Sequence, residues 1–185
     1  MKILFVGPGL LPIPPKGWGG IEHLVWDMKL ALTKLNHDVK IVNTTNPKEI
    51  IYEINNYRPD FVHVQYDDWV LLCPYIQYPC AISTHFAYIE QVEKMSDYKQ
   101  RVFDHYPKVK PNIFALSDGI IKTYRGVGIP DKNLFLTPNG LDIDAYTFTE
   151  TPVYPDRSIC IGKIEDRKKQ YFCLLYTSPS PRDSS

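Results

Sequence analysis

Short apolar runs alternating with amphipathic helical stretches limit this chain to one broad architecture. Runs at residues 3–6, 39–42, 61–64, 80–83, 113–116 and 134–137 read as strands. Between them, Ile21, Leu24, Val25, Met28, Ala31, Leu32 and Leu35 recur at three- and four-residue spacing, which predicts a helix over about residues 21–35. Further helices are expected over residues 47–57, where Pro47 suits a first turn, 88–103 and 118–125. Strand–helix alternation implies parallel pairing through crossovers, and apolar strands imply a sheet covered on both faces. The expected fold class is α/β, a doubly wound, Rossmann-like parallel sheet, with ligands at the carboxyl ends of its strands.

The bulk numbers agree with such a domain and exclude other classes. A length of 185 residues suits one domain, or one plus part of a second. Lys plus Arg and Asp plus Glu are both 21, so no global field favours nucleic acid. Lys108 and Lys110 are too few to argue for peripheral contact with an anionic membrane. Four cysteines, Cys73, Cys80, Cys160 and Cys173, have no CxxC or zinc-finger spacing and read as free thiols of a reducing compartment. The apolar run before Gly7 is too short for a signal-peptide core, and no run is long enough to span a bilayer. A cytoplasmic protein is expected.

The loop after the first strand, residues 7–20, is rich in Gly and Pro. It is not a dinucleotide fingerprint, since Pro12 stands where a third Gly or Ala is needed, and it is not a P-loop, since no Gly-Lys-Ser/Thr opens the helix. Gly19-Gly20 stands just before the helix. Glycines let the backbone approach a ligand, and free amides at a helix N-terminus suit phosphate. The plainer alternative is a turn that only lets the chain enter the helix.

Several motifs in order carry a resemblance. Gly17-Trp18-Gly19-Gly20-Ile21-Glu22 resembles the N-terminal glycine-rich loop of family 4 glycosyltransferases, whose two-domain fold is called GT-B. Leu35-Asn36-His37-Asp38-Val39 is similar to that family's Gly-His-Glu-Val before the second strand. Asp60-Phe61-Val62-His63-Val64-Gln65 is similar to a strand that in the family ends in His, here Gln65. Ser83-Thr84-His85 resembles its Thr-His, Ala115-Leu116-Ser117 its Val-Ala-Val-Ser, and Pro138-Asn139-Gly140-Leu141-Asp142 its Pro-Asn-Gly-Val-Asp. Ile161-Gly162-Lys163 through Lys168 resembles the opening of the family's donor domain, with Lys163 in place of Arg and Lys169 in place of Gly.

The resemblance implies transfer of a sugar from a nucleoside diphosphate donor to a carbohydrate or other hydroxyl acceptor, with retention and without a divalent metal or other cofactor. It implies backbone contacts to the donor diphosphate from Gly19 and Gly20, cationic contacts from Lys163 and Lys168, and a catalytic role for His85 beside the sugar. Glu22, Ser117 and Asn139 would face the cleft. Each has a structural alternative: Ser117 as a helix cap, Asn139-Gly140 as a turn, Lys163, Arg167 and Lys168 as a solvated turn. His63 reads as a hydrogen-bonded core histidine. Tyr66, Trp69, Tyr75 and Tyr78 read as core packing ahead of sugar stacking.

Residues 1–150 are therefore expected to form the acceptor-side domain, 151–157 a linker, and 158–172 the start of a second Rossmann-like domain. Cys173 through Asp183 resembles a translated sequencing-library adapter, so residues 173–185 are expected to be an artefactual tail. The family's acidic pair would lie beyond Phe172, and the chain as written is expected to be inactive. Two alternatives stand beside this one: a sugar-nucleotide epimerase of the same architecture, and a non-catalytic binding or assembly module.

Overall fold

A computed structural model describes residues 1–85, 87–140, 142 and 150. The chain divides into two compact units, Met1–Leu141 and Asp142–Ser185. The expected linker, second-domain start and tail lie outside the described residues.

The first unit is a six-stranded, wholly parallel sheet in the order β2-β1-β3-β4-β5-β6. Its strands are β1 (Lys2–Val6), β2 (Asp38–Val42), β3 (Phe61–Val64), β4 (Cys80–Ser83), β5 (Asn112–Ala115) and β6 (Leu134–Leu136). The α-helices are α1 (Gly20–Lys34), α2 (Pro47–Tyr57), α3 (Ser96–Arg101), α4 (Tyr106–Val109) and α5 (Asp118–Gly126). Local chemistry explains the well-defined ends. Asn46 caps α2 by accepting from the Lys48 amide at 3.1 Å, with Pro at the first turn, and Arg58 closes the helix in the left-handed region. Ser117 caps α5 by accepting from the Ile120 amide at 3.2 Å.

Helices cover both faces of the sheet, but unevenly. Ile3 and Phe5 of β1 pack with Val25, Met28 and Leu32 of α1. Leu4 and Val6 point the other way, into one core with Ile50 and Ile54 of α2, Val70, Phe103, Tyr106, and Ile120 and Tyr124 of α5. The cause is crossover handedness. Only the β1-to-β2 connection runs toward the β2 edge; every later one runs the opposite way, and right-handed crossovers then put all those helices on the same face. On the α1 face, beyond β1, the strands carry an aromatic row. Phe61 and Phe114 stack at 6.1 Å, and Phe114 meets Phe135 edge-on at 5.9 Å.

The helix expected over residues 88–103 is corrected. The chain there makes a 3-10 helix (Ala87–Lys94), then α3, then a 3-10 turn (Phe103–His105) leading into α4. A further 3-10 helix, Asp67–Tyr75, fills the aromatic segment after β3 and contains Pro74. Proline removes a backbone donor, so a regular α-helix could not continue through that point.

Candidate functional site

In this strand order the connections that leave the neighbouring strands β1 and β3 run in opposite directions, which opens a crevice at their carboxyl ends. The loop of residues 7–19 leaves β1 there and is tied down from both sides. The Trp69 indole donates to the Gly7 carbonyl at 3.1 Å. Asn43 accepts from the Gly9 amide and donates to the Leu11 carbonyl, both at 2.8 Å.

The crevice holds a cavity of about 550 Å³. Leu10, Leu11, Ile21 and Leu24 form its apolar wall; Gly20, Glu22, Tyr66, His85 and Asn139 supply backbone and polar groups. Four residues chosen from the sequence therefore meet in one place: Gly20, Glu22, His85 and Asn139. Gly19 sits beside them as the residue capping α1, with φ of 142°. A methyl group on Gly19 would stand 2.6 Å from Glu22 Oε2, so the Glu22 side chain folds back over the start of its own helix. Gly20 has open space where a side chain would stand. Ser117 is not part of this cavity wall; its hydroxyl serves α5. Lys163 and Lys168 lie outside the described residues.

Glu22 is 5% exposed, and its carboxylate makes no hydrogen bond or ion pair with a described residue. Its position in the first turn of α1 is favourable for a negative charge, because the helix end carries partial positive charge. His85 follows β4. Its Nε2 lies 2.7 Å from Gln65 Oε1, an acceptor, so Nε2 carries the proton and Nδ1 is left as an acceptor. Burial pulls the His85 pKa down to about 4, so the ring is neutral at physiological pH. A neutral imidazole suits accepting a hydroxyl proton better than neutralising an anion.

Sequence reasoning missed two residues here. Gln65, fully buried, orients His85, and its Nε2 has no hydrogen-bond partner among the described residues. Its signal was available: it directly follows β3, at the switch point, where the resembling family has His. Tyr66 was assigned to packing but lines the cavity. Of its aromatic neighbours, Trp69 and Tyr78 do pack on the core, while Tyr75 is exposed.

His63 has the core role expected of it. Its Nε2 lies 2.7 Å from Ser83 Oγ, and Phe5, Phe61 and Phe114 surround its ring. Burial lowers its pKa to about 3, with the neighbouring His85 adding to the effect.

Among the described residues, no group of His, Cys, Asp and Glu side chains could hold a metal ion, and no helix is long and apolar enough to cross a membrane. Comparison of the chain with family models, with curated proteins and with solved structures finds no match.

Proposed function

We propose that the first unit is the acceptor-side domain of a retaining, nucleotide-sugar-dependent glycosyltransferase. The observation that carries this reading is the convergence of Gly20, Glu22, His85 and Asn139 on one cavity at the switch point. These residues come from three motifs far apart in the sequence.

The chemistry on the page supports sugar recognition. The Glu22 carboxylate and the unprotonated Nδ1 of His85 are acceptors for sugar hydroxyls, and Leu10, Leu11 and the Tyr66 ring provide apolar surface. The open space at Gly20 leaves room beside the start of α1, where a diphosphate would have to displace the Glu22 carboxylate to reach the first amides. A second reading, a binding module for a neutral saccharide without catalysis, is favoured by Glu22 itself, whose carboxylate occupies the helix end that an anion would use. An epimerase of the same architecture would differ in acid and base groups outside the described residues.

Titrating the 185-residue chain with nucleoside diphosphates, their sugars and free monosaccharides, read at the His85 ring and Gly20 amide resonances, separates these readings. Saturable shifts with a nucleoside diphosphate sugar, weakened in Gly20→Ala, are the expected result. Shifts with free sugars alone would favour the binding module. No shift with any of them would overturn sugar recognition at this cavity.

A further inference from the structure

The loop that carries Gly19 into α1 is fastened along its length, yet it keeps large apolar side chains in water. Hydrogen bonds hold it at Gly7, Gly9 and Leu11, and Ile13 packs against the cluster of Ile3, Phe5 and Val25. His23 Nε2 lies 2.8 Å from the Gly17 carbonyl oxygen, which holds the far end. Among these anchors Leu10 is 65% exposed, Leu11 42% and Trp18 78%. One exposed leucine on a surface means little, but several large apolar side chains on a fixed loop make a patch that something covers.

The position of the patch says what covers it. Leu10 and Leu11 are wall residues of the first cavity, so whatever fills that cavity meets them. Leu11 Cδ1 stands 3.2 Å from the point a methyl group on Gly19 would occupy, and Trp18 directly precedes Gly19, which places it on the same rim. The other end of the cavity is polar, with the Glu22 carboxylate and His85 Nδ1 as acceptors. Among the described residues, no Lys or Arg lines it, so a charged tail would find no counter-ion there. A second cavity shares Tyr66 but is lined by Asp67, Asp68, Lys94, Asp97 and Arg101, which suits an uncharged hydrocarbon less than the first. The first cavity thus fits an amphipathic molecule, with hydroxyls toward Glu22 and His85 and hydrocarbon along Leu10 and Leu11 toward the Trp18 indole.

We propose that the acceptor of the first cavity is an amphipathic alcohol, a polyhydroxylated head joined to an uncharged alkyl or aryl group, and that Leu10, Leu11 and Trp18 select that apolar group. The inference rests on the saccharide reading of this cavity and adds to it the class of acceptor preferred.

The test uses the 185-residue chain with paired methyl and hexyl glycosides of glucose, galactose and mannose, and with hexanol and phosphatidylcholine vesicles as controls. Binding is read from the His85 ring and Trp18 indole resonances. For at least one sugar the hexyl glycoside is expected to shift both and to bind about tenfold or more tightly than the methyl glycoside, the gain of burying about two methylenes. Trp18→Ser should cut that gain by about threefold or more and leave the affinity for the methyl glycoside unchanged, while Trp18→Phe should keep most of it. The exposure of Trp18 keeps both variants clear of the core. Methyl glycosides that bind as tightly as hexyl ones would overturn the inference and leave the saccharide reading standing; no shift with any glycoside would overturn both. Hexanol that binds as tightly as the hexyl glycoside, a gain untouched by Trp18→Ser, or vesicles that shift the Trp18 indole without any glycoside would each rule out selection of an amphipathic acceptor.

Discussion

Replacing His63 by Gln should remove a loss of stability on the acid side whose direction follows from the burial of the imidazole. The imidazole is buried among three phenylalanine rings, and burial pulls its pKa down to about 3, against 6.5 for a free imidazole. Between those values the unfolded chain binds a proton at this position and the folded chain does not. Stability therefore falls as pH drops through 6.5 toward 3. The full difference corresponds to about 5 kcal/mol at about 1.4 kcal/mol per pKa unit, of which about 2 kcal/mol develops between about pH 7.5 and about pH 5. Asp67 works in the opposite direction. Its carboxyl is raised from 3.8 to about 7, so its contribution is fully present below the lower value and is lost as pH rises to the upper one, which masks His63 in the native profile. Subtracting the variant's profile removes Asp67, which both proteins share. Gln keeps a polar group near Ser83 Oγ and adds a roughly constant packing offset. Urea unfolding followed by tryptophan fluorescence, at steps across that pH window, gives both profiles. The stability difference between native protein and variant should move by about 2 kcal/mol in favour of the variant as the pH falls. Parallel profiles, or a move of opposite sign, would refute the claim that His63 is held neutral by burial.

Other substitutions test the loop and the caps. Gly20→Ala should leave the chain as stable or up to about 1 kcal/mol more so, because a methyl there meets nothing, yet it should weaken any ligand of the first cavity. Gly19→Ala should destabilise by about 1–3 kcal/mol, because φ of 142° disfavours a side chain and the methyl would displace Glu22. Thermal unfolding and ligand titration of the pair separate backbone strain from site geometry. Ser117→Ala should cost about 1 kcal/mol in urea unfolding through loss of the α5 cap, without changing binding at the first cavity.

Much of the fold was legible in the chain because its signals are local. The strands Phe61–Val64 and Cys80–Ser83 and the helix Pro47–Tyr57 begin directly after Asp60, Pro79 and Asn46, and the structure returns the expected bounds. The stretches after β3 and β4 were not legible in the same way. A 3-10 helix has no 3.6-residue period to detect, and the Ala87–Lys94 turn, α3 and the next 3-10 turn follow too closely to show separate periods. Gln65 and Tyr66 were underrated because a polar or aromatic residue after a strand has no visible role until its neighbours are known.

By itself the sequence determined the six strands, the helices α1, α2 and α5 and their parallel pairing through crossovers, since periodicity, capping and turn chemistry act over a few residues. Only the tertiary structure decided the strand order, which helices pack on which face of the sheet and the meeting of residues 20, 22, 85 and 139 at one crevice. Those outcomes depend on the hand of each crossover and on contacts between segments distant in sequence, where no local pattern carries the information.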